Sequence, residues 1–188
     1  TLELGQELPH PMKENDQLRP AFEGKQIVVC GYHWIGCKAV EIFRAAGANV
    51  YVYTHAAGEG VACVASYCRK AGVAYTLERI CASNLPFRPD VIASIYYRFM
   101  IKPDVIARVA GRIFNLHPSL LPKYRGCSSL TWAMVQQQAN AGYTYHYIDA
   151  GCDTGNVILQ KPVKIEPFDT QQTLYYRVMF QAIEDLVP

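Results

Sequence analysis

The chain is short of charge. Of its 188 residues only 18% are Asp, Glu, Lys or Arg, below the roughly 25% usual for a globular domain, and 18 basic against 16 acidic residues leave a formal net charge of +2. A balance this mild offers no long-range field for nucleic acid or for an anionic membrane as partner. Long apolar runs are missing too. No stretch approaches the roughly 18 consecutive apolar residues of a membrane span, and residues 1–20 hold charges and three prolines in place of the apolar block of a secretory signal. The seven cysteines (30, 37, 63, 68, 81, 127 and 152) are odd in number and contain no C-x-x-C pair, which argues against a disulfide framework and a zinc knuckle. Buried free thiols in a reducing, cytoplasmic setting are the expectation. What the chain has in quantity is apolar surface, 51% hydrophobic with 12% aromatic residues, enough for one sizeable core and incompatible with intrinsic disorder.

Residues 1–24 show no clear period and are broken by Pro9, Pro11 and Pro20; they read as an arm or linker, with a single domain over 25–188. From Lys25 the pattern changes. Gln26 to Cys30 is a short apolar run suited to a buried strand. Ile35, Ala39, Ile42, Phe43 and Ala46 then recur at helical spacing, with Gly47 as a stop. Strands are expected over 49–53, 90–97 and 112–117, a helix over 61–70, and a short helix over 103–109 with Pro103 near its start. Alternating strands and helices predict an α/β sheet with parallel strands. Further on, a helix is expected over 129–138, strands over 143–148 and 156–160, and a terminal helix opened by a capping-box-like Asp169 to Gln172. Ligands of such sheets sit beyond the carboxyl ends of the strands, so 31–36, 96–100 and 115–126 matter most.

Gly31-x4-Gly36 follows a strand and opens a helix, but it lacks both the G-x-G-x-x-G pattern and the Lys-Ser/Thr of a phosphate loop. A connecting turn or a wall for a ligand are the two readings; Tyr32, His33 and Trp34 are large for a turn alone. Asn115 and His117 lie two apart at a strand end, so both side chains project to the same side, and Pro118 stops the strand. An amide can hydrogen-bond a developing oxyanion and an imidazole can relay a proton, a pairing suited to acyl transfer. Asp153, in a glycine-flanked turn, reads either as an ordinary turn residue or as the carboxylate that orients His117. Tyr96 to Met100 interleaves aromatic groups with Arg98, as core packing, a stacking platform or the wall of a pocket for a flat heterocycle. His146 and Asp149 have no third convergent Cys or His nearby, so no metal is expected.

Taken together, N-L-H-P-S-L-L-P-K-Y-R-G (115–126) and D-T-G (153–155) within G-C-D-T-G-N-V-I-L-Q resemble the folate-dependent formyltransferases. S-I-Y-Y-R-F-M (94–100) and G-Y-H-W-I-G-C (31–37) are most similar to the sugar-nucleotide branch, whose members include the domain acting on UDP-4-amino-4-deoxy-L-arabinose. The resemblance implies a Rossmann-like formyltransferase fold, mostly parallel, with helices on both faces. It implies transfer of a formyl group from 10-formyltetrahydrofolate, a cosubstrate, to a primary amine on a nucleotide-linked amino sugar. It places the catalytic roles on Asn115, His117 and Asp153, with a protonated His117 steadying the oxyanion. It puts the pterin against Tyr97, Arg98, Phe99, Met100, Ile148 and Asp149, and the acceptor against Tyr32, His33, Lys123 and Arg125. Thr54 to Gly60 is shorter than the matching stretch of relatives. Glycinamide ribonucleotide formylation, formyl-folate hydrolysis and a non-catalytic folate-sensing module are the alternatives. The tRNA branch recruits a basic domain that a net charge of +2 does not supply. Fusion of the arm to another domain, or a homo-oligomer, is the expected larger setting.

Overall fold

The computed structural model describes residues 22–186, so the predicted arm lies outside it apart from its last three residues. Strand β1 (Gln26–Gly31) shows why the sheet is central. Ile27, Val28, Val29 and Cys30 are all fully buried, yet Ile27 and Val29 join one core while Val28 and Cys30 join the other. A strand covered on both faces needs this unbroken run of small branched side chains. Helix α1 (His33–Ala45) then lays Ile35, Ala39, Val40 and Phe43 on the first core. Strand β2 (Asn49–Tyr53) returns parallel to β1, helix α2 (Val64–Ala71) stops at a left-handed Gly72, and the three-residue β3 (Ala74–Thr76) pairs parallel with β2.

The chain next crosses to the other side of β1. Strand β4 (Val91–Ile95) pairs parallel with it, helix α3 (Pro103–Arg108) follows, and β5 (Ile113–His117) pairs parallel with β4. Helix α4 (Ser129–Val135) leads into β6 (Asn140–Tyr147) and β7 (Val157–Lys164), both antiparallel to their neighbours, and α5 (Gln171–Glu184) closes the described chain. The sheet order is β3-β2-β1-β4-β5-β6-β7. Residues of α1, α2, α4 and α5 fill the core on one face, and Val105 of α3 sits in the core on the other. This is the mostly parallel α/β sheet, with helices on both faces, that the sequence implies. Because β1 connects outward to β2 on one side while β4 continues on the other, the β1/β4 junction is the switch point at which such sheets open a crevice.

Several boundaries differ from the sequence expectation. Helix α2 begins at Val64 in place of Val61, and α4 stops at Val135, short of Gln138. The terminal capping box is built by Thr170 and Thr173, each side chain taking the other's backbone N–H, so Thr173 replaces Gln172 as the third-position partner. Gly31 and Gly36 turn out to be a packing pair: a Cβ on Gly36 would lie 3.0 Å from the Gly31 carbonyl carbon and 3.1 Å from Val64. The glycine spacing therefore brings α1 down onto the end of β1. Buried thiols are found only in part. Cys30 and Cys68 are buried, but Cys127 and Cys152 are exposed, because both ride on loops at the sheet's carboxyl edge. Among the described residues no helix is long and apolar enough to cross a membrane.

Candidate active site

The site begins with a register. In the β5–β6 pair Asn115 stands opposite His146 and His117 opposite Thr144. Residues directly opposed in antiparallel strands share a face and touch, and Asn115 Nδ2 lies 3.2 Å from His146 Nε2. The other nitrogen of His146 donates to the Tyr147 carbonyl at 2.9 Å, which fixes the ring. Thr144 uses the same register to hold the loop after β5. Its hydroxyl donates to the Ser119 carbonyl at 2.6 Å, and Gln160 Nε2 donates to both Thr144 Oγ1 and the Leu121 carbonyl. Ser119 and Thr144 are buried, so these bonds replace water for groups that would otherwise be left unpaired. The loop's Tyr124 carbonyl is thereby presented to His117.

His117 is almost fully buried, and its Nε2–H donates to that carbonyl at 2.9 Å, with Ser129 Oγ 3.2 Å from the same nitrogen. A carbonyl only accepts, so the proton resides on Nε2 and Nδ1 is left facing Asp153 Oδ2 at 3.4 Å. Burial pushes the imidazole below its ordinary value of 6.5. The Tyr124 carbonyl and the Asp153 carboxylate pull the other way without cancelling it. The resting ring is therefore neutral at pH 7, because desolvation outweighs a carboxylate held 3.4 Å away.

Asp153 reaches the same point from the β6–β7 loop, on a left-handed backbone with φ 51°. It accepts the Gly126 N–H at 2.8 Å, and its Oδ1 lies 3.5 Å from His146 Nε2. Burial favours the neutral acid, but the His146 imidazole, the Gly126 N–H and His117 outweigh it and hold the carboxyl at about 2. Arg125 Nε donates to the Asp153 carbonyl at 2.9 Å and fastens the two loops together. An amide, two imidazoles and a carboxylate thus converge on one face, from two strands and a loop far apart in sequence.

They line a cavity of about 1100 Å³ at the carboxyl edge of the sheet. Tyr32, His33, Tyr97, Arg98, Phe99, Met100, Ile148 and Asp149, all predicted as site residues, lie in its wall. Lys123 and Arg125 do not. Lys123 is exposed and its backbone holds the loop, its carbonyl accepting from Ser119 Oγ and its N–H donating to the Leu120 carbonyl, while Arg125 acts on the site through Asp153. Asp149 accepts from Thr154 Oγ1 and the Gly151 N–H, so its carboxylate is spent on shaping its own loop. Four contributors went unassigned in the sequence reading. His146 was weighed only as a metal ligand; Ser129, His55 and Tyr175 carried no motif. His55 stacks face to face on Tyr32 with ring centroids 3.9 Å apart, and Tyr175 comes from α5. The alternation in Tyr143 to Tyr147 is the one sequence signal that bears on His146, since it sets the residue on the strand face opposite the core-packed Tyr143 and Tyr145.

Comparison with known proteins gives the same fold. The formyl transferase family matches residues 40–187. The bifunctional polymyxin resistance protein ArnA of Wigglesworthia glossinidia brevipalpis is 38% identical over 96 residues, covering 51% of this chain; the chain spans only 15% of that protein's length. Among solved structures, WlaRD, a sugar 3N-formyl transferase crystallised in the presence of dTDP and 5-N-formyl-THF, superposes with a TM-score of 0.75 at 21% identity, over 86% of this chain and 60% of that one. The phosphoribosylglycinamide formyltransferase of Bacillus halodurans gives a TM-score of 0.72 at 23% identity, over 87% and 92%.

Proposed function

The chain belongs to the formyl transferase family, and on that premise we propose that it moves a formyl group from 10-formyltetrahydrofolate to the primary amine of a nucleotide-linked amino sugar. The observation that carries this is the convergence of Asn115, His117 and Asp153 at the wall of one large cavity. Residues 25–188 are its catalytic domain, and fusion of that domain to another is the proposed larger setting. The bifunctional nature of ArnA supports a setting of that kind.

The cavity fits a folate. Phe99, Met100, Ile101, Leu116 and Ile148 supply apolar walls for a flat ring, the Ile148–Asp153 loop lies alongside with backbone polar groups, and the volume leaves room for a second molecule. When bound, 10-formyltetrahydrofolate supplies an electrophilic formyl carbon. The amide of Asn115 is placed to donate to the carbonyl oxygen as it gathers charge, a contribution of about 3 kcal/mol for such donors. His117 offers a bare Nδ1 to the proton released by the attacking amine; the protonated nitrogen then faces the Asp153 carboxylate, and the proton passes to the donor's departing nitrogen as its bond to the formyl carbon breaks, which restores the neutral ring. His146 is a positioning residue that spans Asn115 and Asp153. A neutral His117 as proton acceptor predicts a pH profile. The acid limb of kcat/KM should have its midpoint below about 6.5. In Asp153→Asn, where the carboxylate that raises His117 is gone, the limb of the residual activity should move lower still.

Support for a sugar acceptor comes from the Tyr96-Tyr97-Arg98 segment, from the similarity to ArnA and from the likeness to WlaRD. The test is release of tetrahydrofolate from 10-formyltetrahydrofolate with UDP-4-amino-4-deoxy-L-arabinose, a dTDP-linked amino sugar, glycinamide ribonucleotide, or no amine. Turnover confined to the sugar nucleotides is the expected result. Turnover with glycinamide ribonucleotide alone, or without any amine, would replace the proposed acceptor.

A further inference from the structure

We infer that Tyr175, together with His33 and Tyr96, forms the wall that selects the acceptor's carbohydrate ring, at the β1/β4 crevice and apart from the groups at the reacting atoms; this rests on the amino-sugar reading above. The three side chains come from separate elements. His33 follows β1, Tyr96 follows β4, and Tyr175 reaches in from α5. The His33 and Tyr175 rings meet edge to face with centroids 5.7 Å apart, and Tyr96 lies 5.5 Å from Tyr175 and 6.2 Å from His33. All three line the cavity.

Two of them are held there against a backbone cost. His33 has φ 61° and Tyr96 φ 63°, the left-handed region that large L-residues rarely occupy. Such conformations cost about 1–3 kcal/mol each and persist where the surroundings fix them, a pattern typical of ligand sites. Their placement on either side of the switch point turns both rings over the crevice. Tyr175 is aimed there by α5's own packing. Leu174, Val178 and Ala182 are buried in the core, which rotates the neighbouring position by roughly 100° toward the cavity. Gln171, one turn earlier on the same face, lines the cavity as well.

The chemistry of the wall suits an uncharged polyol. Burial keeps His33 deprotonated and the Tyr175 phenol protonated at pH 7, so neither offers a full charge to a phosphate. The aromatic faces match the C–H surface of a pyranose. The Tyr175 hydroxyl lies 3.4 Å from His33 Nδ1, a long contact, with the Trp34 indole also beside it, and a phenol that both donates and accepts retains capacity to bond a sugar hydroxyl. Asn115, His117 and Asp153 lie beyond β4, at the ends of β5 and the β6–β7 loop, so the ring would be gripped on one side and its amine presented on the other.

The experiment is steady-state formyl transfer from 10-formyltetrahydrofolate to UDP-4-amino-4-deoxy-L-arabinose by the wild type, Tyr175→Phe and Tyr175→Ala. Tyr175→Ala is expected to raise the acceptor KM roughly tenfold, and Tyr175→Phe, which keeps the ring face, roughly threefold. The donor KM should stay within about twofold in both, which also reports that the protein is folded. An unchanged acceptor KM, or donor and acceptor KM values rising together, would overturn the inference. If Tyr175→Ala does not fold, the same two criteria applied to Tyr175→Phe decide it. A wild type that uses glycinamide ribonucleotide and no sugar nucleotide would overturn the acceptor reading and this inference with it, and the wild-type assay alone distinguishes that failure.

Discussion

Asp153→Asn is expected to lower kcat/KM on the order of a thousandfold while leaving the protein folded. The substitution is nearly isosteric, so the Gly126 N–H can still find an oxygen. What disappears is the charge that a protonated His117 would face at 3.4 Å. The cost falls on the step in which the imidazole becomes cationic, and not on donor or acceptor binding, so kcat should fall far more than either KM changes. Stability should register the change as well. A carboxyl held at about 2 against an ordinary 3.8 contributes about 2 kcal/mol that is fully present above pH 4 and is lost as the pH falls through 2. Denaturation at pH 7 should therefore show the variant modestly weaker, with the difference narrowing in acid. His117→Ala should lose activity to a similar degree. Losses below about tenfold in both variants would remove the pair from the mechanism.

Gly155→Ala should be nearly as damaging, for a reason of space and not of charge. A Cβ at this position would overlap the Tyr147 carbonyl oxygen and approach its carbon to 2.7 Å. Neither atom can step aside. Tyr147 N–H is bonded to the Asn156 carbonyl at 2.9 Å at the base of the loop, and the Tyr147 carbonyl accepts from His146 Nδ1. Relief of the overlap displaces the loop bearing Asp153, the ring of His146, or both. We expect a loss of about 2–4 kcal/mol in stability, and a roughly hundredfold loss of kcat/KM even in the fraction that remains folded. Thermal unfolding with activity measured well below the transition separates the two effects. A variant with wild-type melting and activity would show that the loop absorbs the methyl group without moving Asp153 or His146.

The parts legible in the sequence were those set by local pattern. The apolar run of β1, the helical period of α1 and the Asn115/His117 pairing before Pro118 all follow from side-chain spacing within a few residues. β3 escaped because three partly exposed residues carry no period. β7 was expected to end at Gln160, where the apolar run stops; it lies at the edge of the sheet, a position that tolerates Pro162, and the ladder continues to Lys164. His146 could not be assigned without the β5–β6 register, which no single sequence displays. Arg125 shows the converse: its charge suggested an anion, and what the fold adds is a bond from its Nε to the Asp153 carbonyl that no spacing displays. Tyr175 is contributed by the far end of the chain, and only packing shows that it comes home to β1.

The parallel part of the sheet ends between β5 and β6, and Asn115 meets His146 across that seam. A slide of either strand by a single position would swing every inward group outward, so no partly aligned molecule retains a fraction of the site. Recovered turnover after dilution from denaturant should therefore lag the return of helical signal and mark the moment the seam locks, making the enzyme its own clock for the last event of assembly.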